Sequence, residues 1–240
     1  MHSGEIRPDR FPATNWSLVT RTGGTDDATA HASLLTLCLR YWYPVFAYLR
    51  RSGHGPENAY ALAQAFFQDL LRRDTAQPEA ARFGRFRLFL QAELHRFLSS
   101  DHDLQQVAVA LAGPSLQDLE ARHRTEVAPD RSPEEMLRRG FALEILAAAH
   151  RRLHREAAES GRLPMFADLE RFLVAEPLPG DYDDAARRLQ VRPVFVAMAV
   201  KRLRQRFREL VDHELRETIA GASDLESERD ALLQVLGSGE

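Results

Sequence analysis

Cysteine and lysine occur once each, as Cys38 and Lys201. A single thiol forms no intrachain disulfide and builds no cysteine-based zinc site, so a reducing compartment and a cytoplasmic location are expected. Leu37 and Leu39 flank that thiol and place it in a core. No run approaches the roughly eighteen apolar residues needed to span a bilayer, and the opening "MHSGEIRPDR" has no apolar signal core, so no membrane partner is expected. Strand-like alternation, internal repeats and low-complexity runs are also missing, which leaves an all-α chain. The net charge of −3 excludes a uniformly basic nucleic-acid binder; any DNA-binding surface must be a local patch.

With 240 residues and 44% hydrophobic content, the chain can bury more than one small core, and two compact units joined by a connector are expected. Residues 1–29 read as a polar tail with one apolar island, "FPATNWSLV", whose Phe11, Trp16, Leu18 and Val19 need something to dock on. Residues 30–100 read as a three-helix bundle. Its first helix, from Ala30 to Arg51, is apolar nearly all round with a kink at Pro44. The second opens at Pro56 and carries Leu62, Phe66 and Leu70 at four-residue spacing. The third, from about Glu79 to Ser99, puts Phe86, Leu90, Leu94, Phe97 and Leu98 on one stripe.

Periodicity weakens over 101–132, which reads as a linker holding one short helix near Gln105–Leu111; as coil it would reach about 30 Å on average. Residues 133–220 read as a second helical domain. Ser132 is a good N-cap, Pro133 suits the first helical turn, and Glu134 and Glu135 favour the positive helix end. Its centre, "DYDDAARRLQVRPVFVAMAVKRLRQRFREL", is a short helix, a tight turn and a long helix. Val196, Val200, Leu203, Phe207 and Leu210 make a narrow apolar seam, and Ala185, Ala186 and Leu189 permit the close crossing of a helix-turn-helix. A generic helical hairpin would satisfy the same pattern. Residues 221–240 form an amphipathic tail, with a helix expected over Leu225–Leu236.

Between Arg187 and Arg216 there are nine Lys/Arg against three Asp/Glu, the only concentrated basic segment. The face opposite the seam carries Val194, Phe195, Met198, Lys201, Arg202 and Gln205, so its first turns are apolar. Such side chains touch thymine methyls, whereas arginine on guanine or amides on adenine read bases more strongly; an exposed apolar cluster also suits a protein partner.

Taken together, "YWYPVFAYLRRSGHGPENAYALAQAFFQDLLRRD", "GRFRLFLQAELHRFL" and the helix-turn-helix resemble the extracytoplasmic-function sigma factors of bacterial RNA polymerase, and the apolar island is similar to one found in a branch of that family. The resemblance implies a non-enzymatic protein whose partners are core RNA polymerase and promoter DNA. The front bundle would bind the polymerase clamp and the melted −10 strand, and the rear domain would read the −35 duplex. In the clamp-binding motif Pro56, Glu57, Ala59, Leu62, Gln64, Phe66 and Phe67 match, and Glu57, Gln64 and Phe67 are carried over as polymerase contacts; Asn58, Tyr60, Ala61 and Ala65 stand where the family has acids.

Implied DNA contacts in the bundle are Arg85, Arg87, His95 and Arg96, with Phe86 and Phe89 as stacking groups or buried aromatics. In the rear domain they are Arg192, Phe195, Met198, Lys201, Arg202 and Gln205. Gln190 replaces the family's turn glycine, which costs backbone energy if φ is positive there, and Ala197 stands at a frequent arginine position. The alternative is a sigma-derived interaction module, an adaptor, inhibitor or oligomer, with an anti-sigma factor or another protein on Val194, Phe195 and Met198.

Catalytic signals are weak. His150 and His154 lie four apart on one helix but lack the glutamate of HExxH and a third ligand, and "TRTGGTDD" lacks the Walker spacing and its lysine. No cofactor, metal or catalysis is expected.

Overall fold

The computed structural model describes residues 14–20, 27–73, 80–100, 113–126 and 131–237. Among them are eleven α-helices and no strand: α1 (Asn15–Thr20), α2 (Asp27–Arg40), α3 (Trp42–Arg51), α4 (Pro56–Arg72), α5 (Phe86–Leu98), α6 (Leu116–Glu126), α7 (Pro133–Glu159), α8 (Leu163–Leu169), α9 (Asp181–Leu189), α10 (Pro193–Arg216) and α11 (Leu225–Gly237). The fold is all-α. No helix of the described residues is long and apolar enough to cross a membrane. The chain divides into two compact units. One comprises the described residues up to Glu144 and from Leu215 onward, and the other is Ile145–Glu214, so both junctions fall within helices, α7 and α10.

In the first unit the long apolar segment splits into α2 and α3 at Tyr41, three residues before Pro44. Pro44 has no N–H to offer the Arg40 carbonyl and its ring crowds that oxygen, so the chain breaks three residues before the proline itself. The break swings Tyr41, Trp42 and Tyr43 into the core. Trp42 stacks on Phe67 at 4.9 Å, and Tyr41 lies flat on Phe141 of α7 at 4.4 Å and 11°. Gly140 permits this approach, because a Cβ there would come within 3.1 Å of Pro44. Cys38 is fully buried on α2 and burial pushes its thiol pKa up, so it is an inert core group.

The apolar island of the tail docks on its own bundle. Trp16 of α1 is completely buried against Phe86 and Phe89, at 5.3 and 5.0 Å between ring centroids, and Val19 is buried beside it. Phe11 lies outside the described residues. Residues 116–126, read as part of a linker, form α6 and pack on this unit. Arg50 pairs with Glu120 at 2.6 Å, the Arg122 guanidinium sits 3.7 Å over the Tyr43 ring and pairs with the buried Glu144, and His123 lies edge-on to Phe46. Burial is the main influence on His123 and lowers its pKa. The short helix expected near Gln105–Leu111 falls outside the described residues.

The third helix of the bundle starts at Phe86, seven residues later than the periodicity predicts. Arg85 is instead extended, and residues 84–86 are tied to the segment after α10: Phe86 N–H donates to the Thr218 carbonyl and Ala220 N–H to the Gly84 carbonyl, both at 2.8 Å. α10 ends at Arg216, and residues 218–220 bond across the chain instead of continuing it.

The second unit is built on α8, α9, α10 and the rest of α7. Ser132 caps α7 as expected, and the cap is reciprocal: Glu135 N–H donates to Ser132 Oγ at 3.2 Å, and Ser132 N–H donates to the Glu135 carboxylate at 2.7 Å. Leu169, Phe172, Ala185, Ala186, Val196 and Val200 form one core cluster. Ala149, Leu153, Phe166 and Leu210 form another. Leu203 packs against both.

Candidate nucleic-acid interface

In the second unit, α9 and α10 are joined by the three residues Gln190–Arg192, the connection of a helix-turn-helix. Ala185 and Ala186 are buried at the crossing, and the seam of Val196, Val200, Leu203, Phe207 and Leu210 faces the two core clusters. Gln190 is left-handed, with φ 55° and ψ 40°, and is the one non-glycine residue with positive φ among those described. The turn therefore keeps its shape without its glycine, and the amide N–H of Val191 closes back onto the Ala186 carbonyl at 3.0 Å.

The outward face of α10 presents Val194, Phe195 and Met198, 56%, 48% and 46% exposed, followed by exposed Lys201, Arg202 and Gln205. The Arg192 guanidinium lies 4.8 Å from the centre of the Phe195 ring, so these two form one surface element at the start of the helix. Of the nine cations in this segment, several are committed within the unit. Arg204 donates to the Phe172 and Ala175 carbonyls, at 2.7 and 3.1 Å. Arg206 grips Glu156 through two bonds, at 2.7 and 2.9 Å, and also binds Glu209. Arg188 pairs with Asp168 at 2.6 Å and Arg187 with Asp184. Among the described residues neither Lys201 nor Arg202 has an ion-pair partner. The charge available to an external anion near the start of α10 thus lies on Arg192, Lys201 and Arg202, with exposed Arg208 further along, fewer groups than the sequence count, and Gln205 is held between Glu209 and Arg208.

In the first unit the basic residues are answered by acids. Arg96 binds Glu93 at 2.7 Å and approaches Asp69 at 3.6 Å. His95 sits against the Tyr48 ring at 5.9 Å, with Glu134 at 3.8 Å. Arg85 and Arg87, which flank the start of α5, are held by the C-terminal segment: Arg85 donates to Asp224 at 3.5 Å and to Ser227 at 3.0 Å, and Arg87 Nε donates to Glu228 Oε1 at 2.7 Å. Phe86 and Phe89 are buried against Trp16 and belong to the core, which takes them away from base stacking. Of the residues carried over as polymerase contacts, Glu57 is exposed on the first turn of α4 and Gln64 is half-buried. Phe67 is completely buried between Trp42 and Phe66, so it shapes α4 from within the bundle.

The partners of Arg85 and Arg87, namely Asp224, Ser227 and Glu228, stand in a segment that reads from sequence only as an amphipathic tail; the signal available was the run of four acids, Asp224, Glu226, Glu228 and Asp230, at its start.

His150 and His154 both pack on the Phe166 ring, at 5.6 and 5.5 Å, and His150 faces Glu170 at 3.2 Å. Among the described residues no three His, Cys, Asp or Glu side chains gather in a group able to hold a metal ion.

No protein-family model matches this chain, no curated protein is similar to it at a significant level, and no solved structure matches its fold at that level.

Proposed function

We propose that this chain is a sigma-type transcription initiation factor, non-enzymatic and intracellular, which binds core RNA polymerase and promoter DNA. The observation that carries the reading is the helix-turn-helix of the second unit, whose α10 turns its apolar seam inward and leaves Arg192, Lys201, Arg202 and Gln205 on the outward face. Three cations on one helix face suit the phosphates that flank a major groove, and Gln205 is of the residue type that pairs with adenine. In the first unit, exposed Glu57 with Gln64 on α4 would meet the polymerase clamp, and Arg85, Arg87, His95 and Arg96 would meet the melted strand.

Run-off transcription with core polymerase on promoters from the same genome tests the reading. Specific transcripts above those made by core polymerase alone are expected. Transcription no greater than core alone on every promoter would overturn it.

A second reading is favoured by one observation, the contiguous exposure of Val194, Phe195 and Met198 where base edges would be read. An apolar cluster of this kind suits a protein partner, an anti-sigma factor or a second copy. On that reading serine substitutions at the three positions abolish a complex seen by light scattering. A chain that is monomeric and recovers no partner would end it.

A further inference from the structure

The C-terminal helix covers the two arginines that flank the start of α5, and the chemistry of the cover is that of a nucleic-acid phosphate. Asp224 and Glu228 present carboxylate oxygens to Arg85 at 3.5 and 3.7 Å, and Glu228 accepts from Arg87 at 2.7 Å. Gly84 belongs to the same fit, since a Cβ there would stand 2.8 Å from the Asp224 carboxylate.

The cover is lightly held. Only Glu228 and Leu232 of α11 are buried, and one of the two is a charge. Glu228 is 2% exposed, yet its Oε2 has no hydrogen-bond partner. A carboxylate taken out of water whose second oxygen is met only by a guanidinium 3.7 Å away recovers part of its desolvation cost, so this pairing is a poor device for stability. Between α5, α7 and α11 lies a pocket of about 360 Å³ that opens to solvent. Its lining carries Arg87, Arg131 and Arg138 with one acid outside the cover, Glu135, so departure of α11 would leave these three guanidiniums and the neighbouring Arg85 facing solvent.

We infer that the segment from Asp224 through α11 is a detachable acidic cover whose Asp224 and Glu228 stand in for strand phosphates, and that a single-stranded polynucleotide competes with it for Arg85 and Arg87. The inference rests on the reading that these arginines meet the melted strand, and adds to it the regulation of that site. Engagement by four guanidiniums predicts that the logarithm of affinity falls with the logarithm of salt at a slope of about three.

The test is fluorescence anisotropy of a labelled oligothymidylate with the full chain and four variants. Asp224→Asn with Glu228→Gln keeps the shape of the cover and removes the two carboxylates that face the arginines; binding about tenfold tighter is expected, the scale of one charge-assisted hydrogen bond released from competition. Glu226→Gln with Asp230→Asn removes the same charge from exposed positions of the same helix, and no comparable gain is expected. Adding Arg85→Gln and Arg87→Gln to the first pair should cancel its gain. Ser227→Asp, which offers Arg85 a further carboxylate without disturbing a buried residue, should weaken binding below that of the unaltered chain.

An unchanged affinity for the first pair, an equal gain from the control pair, or a gain that survives loss of the arginines overturns the inference. So does a first pair that unfolds while Ser227→Asp leaves binding unaltered. Run-off transcription separates this from the function itself: tighter strand binding without promoter-dependent transcripts sinks the sigma reading alone, and transcripts without the gain sink the cover alone.

Discussion

Trp16 Nε1–H donates to the carbonyl of Phe83 at 2.9 Å, across sixty-seven positions of sequence. The bond anchors the apolar island of the N-terminal segment on the turn that leads into α5. Thr14 Oγ1 donates to the Ile219 carbonyl at 2.9 Å, and Trp16 N–H to that of Glu217 at 3.0 Å, so three separate segments meet at α1.

Trp16→Ala should therefore destabilise the first unit by about 3–5 kcal/mol, the range for removing a large buried aromatic. Trp16→Phe keeps most of the ring contact with Phe86 and Phe89 but leaves the Phe83 carbonyl without its donor, and a loss of about 1–3 kcal/mol is expected. Urea unfolding followed by circular dichroism checks both. Equal losses in the two variants would show that the ring contributes nothing beyond the hydrogen bond, and an unchanged Trp16→Phe would show that the bond contributes nothing.

Gln190 holds a left-handed backbone in the α9–α10 turn at a strain cost for a residue with a Cβ. Gln190→Gly relieves that strain but adds freedom to the unfolded chain, so a net gain of about 0.5–1 kcal/mol is expected. Gln190→Val, β-branched at positive φ, should lose stability. Thermal unfolding of the two variants side by side gives the sign, and a destabilised glycine variant would contradict the strain argument.

How much was legible follows from the range of each interaction. Pro56, Ser132 and Pro133 act within a turn of themselves, so the starts of α4 and α7 were readable, as was the inward seam of α10. The Tyr41 break was placed at Pro44 because a proline perturbs the residues before it, and periodicity marks the proline alone. The late start of α5 was hidden: Phe86 bonds to Thr218, and no local pattern reveals a partner 132 residues away. The same distance hid the fate of Arg85 and Arg87, whose basic character was plain and whose acids lie on α11. Phe67 sits within a motif that also reads as a surface, and burial of an aromatic there depends on Trp42 of another helix.

Arg206 and Glu156 tie α10 to α7 within the second unit, and the hydrogen bond from Arg206 is the first cause of a lowered Glu156 pKa. A carboxylate depressed in the folded state contributes fully above its unfolded value, near the ordinary carboxylate range, and loses that contribution as pH falls toward and through the folded value. The second unit should lose stability in that acid window. Glu156→Gln removes the linkage, so the difference between the two proteins should be largest near neutrality and vanish at the acid end. Unfolding midpoints across that pH range check it, and a difference that persists unchanged in acid would assign the effect to packing. Both groups are partly exposed, so added salt should shrink the neutral-pH difference as well.

Lys201 and Arg202 stand on the outward face of α10, both exposed and, among the described residues, without an ion-pair partner. If they meet phosphates, replacing both with glutamine should reduce the slope of duplex affinity against salt by about two, since each phosphate contact contributes about 0.9. Stability should change little, because neither side chain packs into the core and exposed charges of this kind contribute within about 0.5 kcal/mol. The matched control is Arg204→Gln. Arg204 is bound to the Phe172 and Ala175 carbonyls, so its loss should lower the unfolding midpoint and leave the salt slope nearly unchanged. Binding isotherms at several salt concentrations, read beside melting curves, separate the two classes of cation. A slope that responds to Arg204→Gln and ignores Lys201 and Arg202 would place the duplex elsewhere and leave the apolar face of α10 to a protein partner.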